Sequence, residues 1–542
     1  MSPRSFQPAT RVPPVPRTMG RITAVSATPS GGTSTPVVSS IANEPFGPNS
    51  GITYGNAVAE TRGFDQDYRL TGVTDTGTSA LQNLGYAYYP TNNVQTITDT
   101  VNSANSQSFS YDTLQHLSAA AGGYGSFGYT YDLDGNRVSQ THGIETTNYG
   151  YGSGSDLLAT LSAGGVQTQA IGYTADGRIA SLSPGIQAPG GQTITSLSYS
   201  QDARLSAVNA SGGALASYTY DGFGQRLIKT VSASYGEIYQ YGQDGMLLEE
   251  TNATGVAQAD YVYLNGRPVA VLNGSTVYYL HDDTLGTPQS ATDSNQNIAW
   301  QAMYQPFGQA SVSGTVTQNL RLPGQYFDVE SGWNHNGFRD YLPALGRYAE
   351  PDPLGRAGSG NTLYAYAFDS PINVIDPYGL SGWLTIYASG SYGTGASGYF
   401  GNHAWISYTP DGGSTTTYGT WGNNPLGLAN GLETNLPYDM EHPYDASRSA
   451  YLNDAQQAAL MNYINRVHNQ GANGWSLARP CSHFASTAWQ AGTGEWLPDG
   501  SPTMPSSPAG LVQSINAANA ISAGNPSIPQ LMQWMWSHML FF

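Results

Sequence analysis

The stretch YTYDLDGNRVSQT, residues 129–141, decides how this chain folds. Tyr129 and Tyr131 are two positions apart, so in an extended chain both lie on one face. Asp132 and Gly135 follow: an aspartate ties a turn to its own backbone, and a glycine supplies the positive φ that closes it. Arg137 and Val138 then open a returning strand, which makes the stretch a hairpin. It recurs. FSYDTLQHLSAA (109–120), IGYTADGRIASLS (171–183), YTYDGFGQRLIKT (218–230) and YQYGQDGMLLEET (239–251) share the pattern aromatic-x-Tyr-Asp-x-x-Gly-x-Arg-Leu. Degenerate copies are GFDQDYRLTGV (63–73), LSYSQDARLSAV (197–208) and YVYLNGRPVAVL (261–272). The marker tyrosine falls at Tyr111, Tyr131, Tyr151, Tyr173, Tyr199, Tyr220, Tyr241 and Tyr263, every 20 to 26 residues. A lone hairpin is marginal in water, so the copies must pair side by side into one long sheet.

The bulk properties agree with an all-β chain of more than one domain. At 542 residues it exceeds the usual size of a single core. Gly (66) and Tyr (38) are abundant, which suits turns and strands and not disorder. Charged residues are 10%, with 19 basic against 37 acidic and a net charge of -18; Lys229 is the one lysine. That balance predicts no nucleic-acid partner and no basic membrane face. A single cysteine excludes an internal disulfide. The first 36 residues have no apolar signal-peptide core, and no run of about 18 apolar residues exists. Residues 1–45 therefore read as a flexible lead-in, and export as non-classical. No cofactor or metal is expected.

The hairpins resemble the tyrosine–aspartate (YD) repeats of the Rhs (rearrangement hotspot) family, over roughly residues 50–380. The resemblance implies a mainly β fold in which hairpins of residues 46–330 form a large spiralling β-sheet cocoon around a C-terminal toxin. Residues 338–380, FRDYLPALGRYAEPDPLGRAGSGNTLYAYAFDSPINVIDPYGL, are similar to that family's core motif, with Gly346, Arg347, Tyr348, Asp352, Pro353, Asp376, Pro377, Gly379 and Leu380 fitting. Residues 331–380 would be a plug that cuts itself after its last leucine, at Leu380–Ser381, as an aspartyl protease does. Such chemistry needs two carboxylates sharing one proton. Asp352 and Asp376 match the Asp-Pro units, with Arg347 to orient a carboxylate. Where the family often has Tyr-Asp-Pro, this chain has Tyr341, Leu342 and Pro343, so Asp340 stands as the substitute. Both Asp-Pro units also suit plain turns. The family further implies a cognate immunity protein, a secretion apparatus with spike protein or chaperone, and a cleaved toxin that stays inside its shell. Delivery into a target bacterium would use type VI export or toxin-complex injection.

Residues 381–542 have a different character. The repeat stops, and NDAQQAALMNYINRVHNQG (453–471) carries a helical apolar stripe of Leu460, Met461, Tyr463, Ile464 and Val467. Three basic against eight acidic side chains make a nuclease unexpected. The only cysteine lies in RPCSHFASTAW (479–489), where Pro480 precedes a helical stretch, so Cys481 sits at a helix start that favours a thiolate. Upstream, GNHAWISYTPDGG (401–413) reads as a strand led by His403, with a return strand at STTTYGTWG (414–422). A strand histidine beside a helix that begins with cysteine is a papain-like arrangement. The order, and the sequence Pro480–Phe484, are similar to the permuted NlpC-type peptidases, which include lecithin retinol acyltransferase. The resemblance implies an α+β papain-like domain in which Cys481 attacks an acyl carbonyl and His403 moves the proton. Tyr418 is a candidate third member; His483 suits local packing better than catalysis. Peptidoglycan stem peptide is the simplest substrate; a lipid ester, for an acyltransferase or lipase, is the close variant. The rival reading is a repeat adhesin or carrier with an inert C-terminus. His442 and His468 read as surface or turn histidines, and LMQWMWSHMLFF (531–542) as a packed helix or an anchor against the shell's inner wall.

Overall fold

The computed structural model describes residues 17–18, 21–29, 33–44, 48–66, 69–222, 224–232, 235–242, 245–353, 362–377 and 379. In the C-terminal part it describes 382–389, 403–410, 416–421, 431–434, 445–452, 460, 463–464, 466–467, 481–493, 496–497 and 507–522. His442, His468, the segment 531–542 and the bond Leu380–Ser381 lie outside the described residues. Two compact units emerge. One comprises residues 1–351 and 361–379, the other 352–360 and 380–542.

The first unit is dominated by one antiparallel sheet of 27 strands in chain order, from Val25–Ala27 to Ala310–Gly314. The repeat turns form as the hairpin chemistry requires. Asp132 Oδ1 accepts from the amides of Asp134 (3.0 Å) and Asn136 (2.8 Å), and Gly135 takes φ +86°. Asp112, Asp283 and Asp293 hold their turns in the same way. Six of the eight marker tyrosines have a second task. Their hydroxyls donate to a strand carbonyl of the preceding hairpin: Tyr111 to Val94, Tyr131 to Leu117, Tyr151 to Arg137, Tyr173 to Leu158, Tyr199 to Ile179 and Tyr220 to Leu205. The recurring Tyr thus staples one repeat to the next, which accounts for its spacing. A bulge just before the marker, as between Thr130 and Tyr131, sets the register so that Tyr131 faces Arg137.

The sheet curls until distant strands meet. Tyr54 OH donates to Leu280 O (2.7 Å), Asn56 to Thr292 Oγ1 (3.1 Å), and Arg267 holds both oxygens of Glu60 (2.9 and 2.7 Å). The sheet also starts earlier than the sequence suggested. Residues 25–43 were expected in a flexible lead-in, yet Thr35–Asn43 is a strand with Val37 and Val38 fully buried. Two adjacent β-branched residues pack on the hydrophobic cluster of strands 257–282, a long-range contact invisible to local reading.

A small antiparallel sheet packs on the inner face of this wall. Its strands are β1 (Gln325–Asp328), β2 (Trp333–Asn336), β3 (Arg339–Leu342) and β4 (Arg347–Tyr348), in that order. Trp333, Leu342, Leu345 and Ala349 join Leu158, Ile179, Leu205 and Val208 of the wall in one cluster. Repeats reach the plug with charge, and Arg204 does so through Gly337 O. The residue six positions after the marker is buried and aliphatic in most copies (Leu117, Ile179, Leu205, Leu247), but it is Arg137 or Arg226 in two. Arg226 bonds Asp328 (2.5 Å) and Asp340 (3.0 Å) of the plug. Arg137 stacks on Phe307 (3.8 Å) and donates to Leu345 O (3.2 Å). Buried cations at aliphatic positions survive only with such partners.

The second unit holds an antiparallel sheet of β5 (Gly382–Ser389), β6 (His403–Pro410), β7 (Thr416–Trp421), β8 (Gly431–Thr434) and β9 (Ala446–Leu452), ordered β8-β7-β6-β5-β9. Strand alternation puts Leu384, Ile386 and Ala388 of β5 and Ala404, Ile406 and Tyr408 of β6 into one core. Helices α1 (Cys481–Thr493) and α2 (Pro508–Ser522) cover it through Phe484, Ala485, Ala488, Trp489, Leu511 and Ile515. Leu460, Ile464 and Val467 of the expected stripe are buried in the same core. Asn519 fixes α2 to β9, accepting from Arg448 (2.9 Å) and donating to Ser447 O (2.8 Å).

Candidate functional site

In the C-terminal unit the two residues chosen from sequence meet. Cys481 opens α1, and His403, 78 positions earlier, opens β6. His403 hydrogen-bonds the Cys481 sulfur, and the amides of Ala404 and Ser482 also point to it. Burial resists a thiolate here, since Cys481 is only 9% exposed. The His403 hydrogen bond, its charge and the two amides outweigh that, and the thiol pKa is lowered. The His403 ring stacks on Trp405 (5.5 Å, 12°), which stacks on Tyr387 (5.1 Å, 11°). All three sit on the same strand-alternation face, so the packing fixes the imidazole plane. Tyr418 of β7 pairs with Ile406, and its hydroxyl is pushed up by burial. Its register is three residues along β6 from His403. His483 is half-buried on the first turn of α1. Among the described residues no group of His, Cys, Asp and Glu is arranged to hold a metal.

In the plug the carboxylates sort into two clusters. Asp376 Oδ2 accepts from Tyr348 OH (2.6 Å) and Arg339 Nη2 (3.1 Å), while Arg339 Nε donates to Gly379 O (2.8 Å). Asp340, one position after Arg339, turns to the opposite side of β3. It bonds Arg226 and His335 Nδ1 (3.3 Å), and its amide donates to Glu350 Oε2 (2.9 Å). Burial and Arg226 push His335 down to about 4, so at neutral pH it is an uncharged partner. Burial opposes ionisation of Asp340, but His335 and Arg226 prevail and its pKa is lowered. Glu350 goes the other way, to about 8, through burial and the Asp340 charge. One ionised and one protonated carboxyl therefore lie side by side.

The remaining residues chosen from sequence fall elsewhere. Arg347 donates to Tyr151 OH (3.2 Å) and Asp156 O (2.8 Å) and stacks on Tyr364 (4.6 Å), so it fastens the plug to the wall. Arg339, and not Arg347, is the arginine that bonds the Asp376 carboxylate. β4 directs Arg347 outward, and the sequence spacing alone does not reveal this. Asp352 is buried and falls within the second unit. Arg226, His335, Arg339 and Glu350 were missed by sequence reading. The usable signal was a basic residue at an aliphatic repeat position.

Comparisons with known proteins place these features. A family model described as RHS protein matches residues 277–313, which lie within the sheet. The chain is 27% identical over 292 residues to the double-stranded DNA deaminase toxin A of Burkholderia cenocepacia, covering 48% of this chain and 18% of that protein. It is 32% identical over 198 residues to the probable deoxyribonuclease RhsA of Dickeya dadantii, covering 34% and 14%. The crystal structure of TcdB2–TccC3 without its hypervariable C-terminal region matches with a TM-score of 0.55 at 20% identity, over 67% of this chain and 20% of that one, which shows a shared fold. The chain thus spans a fifth or less of these proteins. Two of them are DNA-acting by name, and this overturns the expectation of no nucleic-acid partner. Net charge, of the whole chain or of its C-terminal part, does not show where the basic side chains gather. The strand-built part of this chain is thus similar in sequence to RHS protein and in fold to TcdB2–TccC3.

Proposed function

We propose that the chain is a polymorphic toxin whose C-terminal unit is a thiol enzyme for acyl carbonyls, with peptidoglycan stem peptide as the simplest substrate. The Cys481–His403 hydrogen bond at the start of α1 carries this reading. The thiolate attacks the carbonyl carbon, and the resulting oxyanion lies near the Cys481 amide, which the helix start leaves free of an intrahelical partner. Imidazolium His403 gives its proton to the leaving amine, and water then clears the thioester, with His403 as base. The test is hydrolysis of purified stem peptide, and of a lipid ester in parallel, by full chain and by Cys481→Ala. Loss of peptide cleavage in the variant is expected. Equal turnover by both proteins removes the thiol mechanism, and turnover of the ester alone selects the lipid variant.

The same reading includes self-cleavage at Leu380–Ser381, supported by the Arg339 bond to Gly379 O, one residue before the bond. A carboxylate takes a proton from water as it adds to the Leu380 carbonyl. A carboxylic acid protonates the Ser381 nitrogen as the C–N bond breaks. Asp340, Asp352 and Asp376 are the candidate carboxyls. The shell would retain the freed unit until delivery into the target cell. A denaturing gel of the wild type should show two fragments meeting at Leu380. A chain that stays whole counts against the cut.

A further inference from the structure

Resting on the self-cleavage reading, we propose that Asn336 and Tyr348 are positioning residues for the cut. Together with the clearances at Gly324 and Gly379, they form a clamp that presents the chain just before Leu380. The geometry is dense and specific. Asn336 Nδ2 donates to Asp376 O (2.7 Å) and to Tyr348 OH (2.6 Å). Tyr348 OH in turn donates to Asp376 Oδ2 (2.6 Å). One amide and one phenol therefore hold both the backbone and the side chain of Asp376.

The backbone path is equally constrained. A Cβ at Gly324 would overlap the Pro377 carbonyl, so residue 377 lies flat against β1's approach. A Cβ at Gly379 would lie 2.5 Å from Asn336 O, and Gly379 itself has φ +65°. Glycine is required at 379 both for its dihedral and for this close pass. Beyond it, Arg339 grips the Gly379 carbonyl while its guanidinium lies over the Tyr348 ring (3.7 Å). All of these groups are buried: Asn336 and Tyr348 are fully enclosed, and Tyr348 also packs on Tyr341 and Tyr366.

A plain structural turn has no need of this much fixing. Hydrolysis does, because rate falls steeply when a scissile carbonyl strays from the attacking geometry. Asn336 and Tyr348 both touch Asp376, so they act by placing that residue.

The test follows cleavage of the full chain after cell-free translation, with time points on denaturing gels at several pH values. Asn336→Ala and Tyr348→Phe are compared with wild type, and thermal unfolding of each is measured in parallel. Both variants should cut at least tenfold more slowly. Tyr348→Phe should also shift the acid limb of the rate–pH profile upward, since Asp376 loses a donor; a merely structural loss leaves the limb in place. If Asn336→Ala does not fold, Tyr348→Phe carries the test, because it keeps the ring against Arg339, Tyr341 and Tyr366. Wild-type rate and pH profile in a folded variant overturn the clamp alone. A wild-type chain that never cuts overturns the cleavage reading, and the clamp with it.

Discussion

Replacing His403 by Ala isolates the feature on which the proposed thiol chemistry depends. In the wild type burial opposes the thiolate, and the His403 hydrogen bond and charge overcome it, so the Cys481 pKa is lowered. Without the imidazole, burial and two backbone amides remain, so the thiol returns to its free value or above it. A free thiol with a pKa of about 8.5 is about 3% thiolate at pH 7. Each pKa unit lost costs the thiolate about threefold in nucleophilicity, which offsets most of the gain in its population, so the net loss of alkylation rate at pH 7 is about threefold. The assay is iodoacetamide labelling of the one cysteine across pH 5–10, read by intact mass. His403→Ala should move the midpoint upward and lower the rate at pH 7, and its more basic thiolate should overtake the wild type near pH 10. Superimposable profiles would refute the reasoning, because the sulfur would then owe nothing to His403.

Three further outcomes follow from the first unit. Arg226→Leu installs the residue that Leu205 and Leu247 place at the equivalent position, yet it should cost about 3–5 kcal/mol in chemical denaturation, because Asp340 loses its buried cation and Asp328 is left with Lys229. Glu250 is held protonated up to about 7, by burial first and then by Glu237. Its contribution is therefore fully present below the unfolded value of 4.5 and is lost as pH rises through 7. Relative to Glu250→Gln, the wild type should gain about 3 kcal/mol between pH 7.5 and 4.5, read as the difference between two denaturation series. Tyr131→Phe removes the staple to Leu117 O (2.8 Å) and should cost about 1 kcal/mol without changing the far-ultraviolet circular dichroism.

The sequence alone determined the hairpins and one chemical pair. Asp132 and Gly135 act within a few residues of each other, so their turn is written locally, and the 20-to-26-residue spacing of the tyrosines follows from stapling adjacent hairpins. Cys481 and His403 were also legible, because a cysteine after proline at a helix start and a histidine leading a strand are local patterns. What tertiary structure decided is where charge goes. Arg226 and Arg137 look like exposed returning-strand residues, but the curl of the sheet turns their positions inward onto the plug. Arg347 looked like the partner of an aspartate, yet β4 aims it at Asp156, and Arg339 grips Asp376 from β3. Strand alternation sends Arg339 and Asp340 to opposite sides, and only the pairing of β3 with its neighbours fixes which side meets which carboxyl. Contacts between residues a hundred or more positions apart leave no local periodicity, so they had to be seen in the fold.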